Sequence, residues 1–169
     1  RVAKTDLRII AFGGVDELNS ILGVVISSGV AEPYAGRLRT IQNDLFDVGA
    51  DLCVPETNPP PEVSPLRVSS VQVARLEHWI DAETDRLAPL TSFVLPGGTS
   101  AAAHLHWGRS VCRRVEIGVV ELAARESVNP QVVMYLNRLS DLLFVWARVA
   151  NDLGGSDVLW VPGKSRGET

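Results

Sequence analysis

Arg109, Arg113 and Glu116 recur at i, i+4 and i+7 within the segment Phe93–Glu116, the spacing at which one face of a helix repeats. That spacing ordinarily marks a buried apolar stripe. Ionised groups placed there need partners, or the fold bears a desolvation cost for each ion. Arg109 and Arg113 lie about 40° apart around a helix axis. They can therefore clamp one polyphosphate, because guanidinium groups match phosphate oxygens in charge and geometry. The same residues would also serve as an interhelical ion-pair network, and spacing alone favours that plainer reading.

Other constellations are less specific. Asn137 and Asp141 are four apart, with Ser140 beside them. An Asn in mid-helix is costly unless it bonds something. Asp16 and Glu17 read as the start of a helix, where carboxylates favourably meet the helix dipole; Asp16 is also a candidate to pair with an arginine on another helix. His104 and His106 are two apart on a helix, do not share a face, and make a poor metal pair. Surface or packing roles suit them better. No metal site is expected. No Ser-His-Asp signature, Walker loop or dinucleotide fingerprint occurs. Gly97-Gly98 alone is a weak phosphate-loop signal.

Five helices must position these groups. The first is expected from near Asp16, after a Gly13-Gly14 turn, to about Ser28. The second spans roughly Pro33 to Leu52, with Leu38, Ile41, Leu45, Phe46 and Gly49 as an inward stripe. The third runs from about Ser70 to Leu87. The fourth starts at Thr99 or Ser100, a good N-cap pair, and continues to about Arg125. The fifth runs from Pro130 or Gln131 to about Leu153 and stops at Gly154-Gly155. Residues 54–66 are proline-rich and form a loop. The tail with Trp160 and Pro162 reads as irregular. The short apolar run Arg8–Phe12 is too little to make a sheet. An all-α, up-down five-helix bundle follows.

The chain has 169 residues, enough for one ordinary domain with a real core. A hydrophobic share of 46% and a charged share of 21% are those of a globular protein. A net charge of −4 argues against general nucleic-acid binding. No apolar run is read as reaching the ~18 residues needed to span a membrane. Cys53 and Cys112 suggest neither a disulfide framework nor a zinc site, and both read as core packing. A reducing, cytoplasmic setting fits best. The chain opens at Arg1 without Met, so a trimmed N-terminus is expected.

Four blocks, in order, resemble the PduO-type ATP:cob(I)alamin adenosyltransferases. They are Arg1-Val-Ala-Lys4-x-Asp6-x-Arg8; Gly13-x-x-Asp16-Glu17-Leu18-Asn19-Ser20-x-x-Gly23; Phe93-Val94-Leu95-Pro96-Gly97-Gly98 with Leu105-His106 and Arg109-x-x-Cys112-Arg113-Arg114-x-Glu116; and Tyr135-Leu136-Asn137-Arg138-Leu139-Ser140-Asp141-x-Leu143-Phe144. Gln42-x-x-Leu45-Phe46-x-x-Gly49 is similar to the family's second helix. The resemblance implies a homotrimer of single domains, residues 1–169, with active sites between subunits. It implies transfer of the 5′-deoxyadenosyl group of ATP to the cobalt of reduced cobalamin, releasing triphosphate. By motif, Lys4, Arg113, Arg114, Glu116 and Asn137 fall on ATP-contacting positions, with Mg²⁺ accompanying the nucleotide. Arg109 and Asp16 match an intersubunit salt bridge. Phe93 matches the aromatic residue beside the corrin that helps displace the lower axial base. A cob(II)alamin reductase and an adenosylcobalamin-dependent enzyme are the implied partners.

Two departures stand out. The family's TGDxGxT-type triphosphate loop, expected just upstream of the first block, is absent from this sequence. The family's Arg-Arg-Ala-Glu-Arg run is here Arg113-Arg114-Val115-Glu116-Ile117, which predicts a weaker phosphate or subunit contact. These departures keep open a non-catalytic cobalamin carrier and a helical-bundle interaction protein.

Overall fold

A computed structural model describes residues 2–56, 62 and 64–167. Among these residues the helices are α1 (Leu7–Ser27), α2 (Tyr34–Cys53), α3 (Ser70–Thr84), α4 (Ser100–Ala123) and α5 (Pro130–Ala150), followed by a 3-10 turn at Lys164–Gly167. Side-chain caps fix the starts. Asp6 accepts from the Arg8 N–H at 2.9 Å, Thr99 from Ala102 at 3.1 Å, and Asn129 from Gln131 at 3.0 Å ahead of Pro130. At α3, Gln72 reaches back to accept the Ser69 N–H at 2.8 Å.

Neighbouring helices run in opposite directions. Asn19 and Gln42 exchange side-chain to backbone hydrogen bonds between α1 and α2, and Arg8 reaches Leu52. Gly14 meets Val115, and Gly108 meets Ile21, between α1 and α4. Cys112 donates to Leu136 at 3.2 Å between α4 and α5. Gln72 bonds Asp47, and Arg37 bonds Glu83, between α2 and α3. These pairings produce the up-down bundle. Its core is one cluster built from all five helices, including Leu18, Leu38, Leu76, Val119 and Leu139.

Several expectations change. α1 begins at Leu7, so Gly13-Gly14 lies inside the helix and is not a turn. Gly14 is instead a crossing point, because a Cβ there would sit 3.0 Å from Val115 Cγ2. Arg8–Phe12 is helical. Asp16 and Glu17 fall in mid-helix, so the helix-dipole account of them does not apply. Phe46 is 70% exposed and does not belong to the inward stripe. Cys53 is exposed, whereas Cys112 is buried as expected and its thiol pKa is pushed far up, first by burial. The helices α3, α4 and α5 stop at Thr84, Ala123 and Ala150, two to three residues early, where turns take over. By length and composition α1 could cross a membrane, contrary to the reading that no run is long enough. Its residues Leu18, Leu22 and Val25 are nonetheless packed in the core.

The buried charges lie away from the Arg109–Glu116 face. Asp51 accepts from Arg67 at 2.6 Å, the Val68 N–H at 2.8 Å and Asn129 at 2.7 Å. Asp44 accepts from Tyr135 at 2.9 Å and pairs with Arg75. The Tyr135 hydroxyl pKa is raised, first by burial and then by Asp44. These acids satisfy the rule that a buried ion must be paired.

The tail is not irregular throughout. Leu95 donates to the Val158 carbonyl at 2.8 Å and Trp160 donates to that of Phe93 at 2.7 Å. Val94 and Leu159 thereby form an antiparallel bridge, and the tail lies along the segment that carries Phe93.

Candidate functional site

The apolar side of α4 is Leu105, Val111, Cys112, Val115, Val119 and Leu122, all buried. Arg109, Arg113 and Glu116 are offset from it, so the expected buried charged stripe is not one. Arg113 is exposed, and its guanidinium has no hydrogen bond or ion pair among the described residues. Its neighbour Arg114 pairs with Glu17 of α1 on the surface. Glu116 accepts from Asn137 Nδ2 at 2.9 Å, which answers the mid-helix Asn. Ser140 is buried and donates to the Asn137 carbonyl at 2.9 Å. Asp141 faces Arg138 at 3.2 Å and is not joined to Asn137. Lys4 is exposed in the turn ahead of α1; Arg1 lies outside the described residues.

Asp16 is exposed on α1, and its carboxylate has no partner among the described residues. No Asp16–Arg109 ion pair forms within the chain. Arg109 instead lies over the Phe144 ring, 5.4 Å from its centroid. Arg109 belongs to a second region, an open cavity of about 770 Å³ shared by Phe93, His106, Asp141, Phe144 and Trp160. Phe93 is 76% exposed there, and its ring centroid is 5.9 Å from that of Trp160. An aromatic side chain so open to solvent, on a segment braced by the tail, is placed to meet a ligand.

Sequence reasoning undervalued two residues of this cavity. His106 is buried against Phe144, with its Nε2 unpartnered among the described residues. Its imidazole pKa is lowered, first by burial and then by Arg109, which keeps it neutral near pH 7. Trp160 sits in a tail with no periodic signal; the unbroken apolar run Val158–Val161 was the available hint. Among the described residues no group of three His, Cys, Asp or Glu converges as a metal site.

An exposed Arg113 on α4, unpaired among the described residues and one turn from the Arg109 that lines an aromatic cavity, defines a helical bundle that can hold an anionic ligand beside an apolar one. The chain belongs to the cobalamin adenosyltransferase family and is of the PduO type: the model of the family matches residues 1–150. A corrinoid adenosyltransferase of Mycobacterium leprae is 48% identical over 171 residues, covering 96% of this chain and 87% of that protein. The Bacillus subtilis corrinoid adenosyltransferase is 38% identical over 159 residues, covering 92% and 80%. Among solved structures, a phenylalanine-to-alanine variant of the PduO-type ATP:corrinoid adenosyltransferase from Lactobacillus reuteri, complexed with cobalamin and ATP, matches with a TM-score of 0.86. It is 36% identical, over 94% of this chain and 88% of that one. An arginine-to-lysine variant of the same enzyme, complexed with ATP, matches with a TM-score of 0.85 at 35% identity, over 95% and 90%.

Proposed function

We propose that this chain transfers the 5′-deoxyadenosyl group of ATP to the cobalt of reduced cobalamin. The observation that carries the reading is the open Arg113 face beside the Phe93 cavity, within a fold shared with the Lactobacillus reuteri enzyme. The positions altered in the two Lactobacillus reuteri variants lie 20 apart, as do Phe93 and Arg113 here (113 − 93). That match supports assigning Phe93 to the corrin and Arg113 to ATP.

The nucleophile is the substrate cobalt itself, so the protein need supply none. The Co(I) electron pair attacks C5′ of ATP. A Co–C bond forms as the C5′–O bond breaks, and the electron pair of that bond leaves with triphosphate. Arg113, with Arg114 and Lys4, stabilises the charge growing on the leaving oxygen. Glu116 and Asn137, fixed to each other, orient the ribose, the adenine or the metal shell. Mg²⁺ would come with the nucleotide. The described carboxylates form no cage, so phosphate oxygens and water would complete its shell, as this ion ordinarily prefers. The protein's own share is positioning and electrostatics.

Before transfer, Co(II) must be reduced to Co(I). Phe93 fills the space beneath the corrin and excludes the axial base and water, leaving four-coordinate cobalt that is easier to reduce. Asp16 and Arg109 form their ion pair between subunits of a homotrimer, which accounts for their having no ion-pair partner among the described residues of one chain. One domain over residues 1–169 carries the activity in the cytoplasm, with a reductase as electron donor and an adenosylcobalamin-dependent enzyme as recipient.

The test is an assay with ATP and reduced cobalamin, following adenosylcobalamin absorbance and triphosphate together. Equal formation of both is expected. Corrin binding without turnover would select a carrier, and neither binding nor turnover would select an interaction module.

A further inference from the structure

Phe93 is exposed, so packing against its own side chain does not hold it in place. Its segment is gripped elsewhere. At one end, Arg148 donates to the Ala88 carbonyl at 2.9 Å. At the other, Asn151 donates to the Gly97 carbonyl at 3.2 Å and accepts the Thr99 N–H at 3.0 Å. The fit is close: Gly98 has φ +95°, and a Cβ there would lie 2.1 Å from Asn151 Oδ1.

Both gripping residues meet on one carboxylate. Asp157 Oδ2 accepts from Arg148 at 2.9 Å, and Oδ1 accepts from Asn151 at 3.1 Å. The Asp157 side chain is 3% exposed. The next residues, Val158 to Trp160, pair with Phe93 and Leu95 and hold the middle of the segment. Asp157 reaches this position through a reversal in which Asp152, Leu153 and Gly154 have φ of +56°, +51° and +86°. Non-glycine residues adopt that conformation only when surrounding contacts enforce it.

We infer that Asp157 is a positioning residue for adenosylation: through Arg148 and Asn151 it fixes both ends of the Phe93 segment, and it sets the register of the strand that fixes the middle. This rests on the reading of Phe93 as the residue beneath the corrin. Asp157 makes no hydrogen bond to a cavity residue and reaches His106 only through its charge, so amide exchange at Leu95 and Trp160, which reports the segment itself, carries the test.

The test compares Asp157→Asn, Phe93→Ala and the double variant with the parent chain. The near-isosteric Asp157→Asn keeps the size of the side chain and removes its charge. We expect faster exchange of the Leu95 and Trp160 amides, unchanged protection in α1 and α4, and loss of the four-coordinate cob(II)alamin signal. Turnover should fall roughly tenfold to a hundredfold, as for a misplaced reacting group, with the KM for ATP unchanged. The double variant should be no slower than Phe93→Ala, because both act at one point. Unchanged Leu95 and Trp160 exchange in Asp157→Asn, or a four-coordinate signal equal to the parent's, overturns the inference. A signal that survives Phe93→Ala overturns the reading of Phe93 and leaves the exchange result to judge the clasp separately. If Asp157→Asn does not fold, Asn151→Ser releases the Gly97 end alone, and the same amide and cobalt readouts decide.

Discussion

The clasp beneath Phe93 and the open face of α1 and α4 use charge in opposite ways. At the clasp, Arg148, Asn151 and the side chain of Asp157 are buried and bonded to one another or to backbone carbonyls. On the open face, Arg113 and Asp16 are exposed, with no side-chain partner among the described residues. A buried ion without a partner would unfold the chain, so interior charges come as closed networks. A surface ion needs no partner for stability. Its charge stays available to a ligand or to another subunit. Groups saturated in the interior thus fix geometry, while unpaired surface groups are left free to bind.

Breaking a closed network should damage the fold, and breaking an open one should damage only the chemistry. The largest expected effect is at Asp51, bonded to Arg67, Val68 and Asn129. Asp51→Ala should cost about 3–5 kcal/mol of stability by urea denaturation; a loss under about 1 kcal/mol would weaken the contrast. Arg113→Ala comes next. It should lower turnover by about 10²–10³-fold while the helical circular dichroism stays unchanged; near-normal kinetics at saturating ATP would count against the phosphate clamp.

Phe93→Ala should lower turnover by roughly tenfold to a hundredfold and remove the four-coordinate cob(II)alamin signal, with the melting temperature preserved because the ring is 76% exposed. The smallest effect is at Ile117, where the family usually carries arginine. It is 68% exposed on α4, so the change should not disturb the fold. Ile117→Arg should lower the KM for ATP about two- to fivefold, the scale of one exposed charge contact. No change would mean that the position lies outside the nucleotide site.

Much of this was legible in the sequence. The Thr99-Ser100 cap pair and the apolar repeats located α2 to α5 to within a few residues, whereas α1 begins at Leu7, well ahead of the expected Asp16. The block Phe93–Glu116 singled out both regions of the site. The register of charge against burial was not legible. Spacing placed Arg109, Arg113 and Glu116 on one face but could not say that this face is offset from Leu105, Cys112, Val115 and Val119. Gly13-Gly14 resembled a turn because a glycine needed for helix crossing looks the same as one needed for a reversal. The clasp was invisible for another reason. Asp157 meets residues as distant as Gly97 and Ala88 only through Asn151 and Arg148, after a left-handed turn that no periodicity announces.

ATP affinity, measured by calorimetric titration of Phe93→Ala and Arg113→Ala against the parent, tests this division of labour most directly. Phe93→Ala should bind ATP within about twofold of the parent, and Arg113→Ala should bind it at least tenfold more weakly, the scale of one lost charge-assisted hydrogen bond. Equal losses in the two variants, or parent-like affinity in Arg113→Ala, would contradict the account.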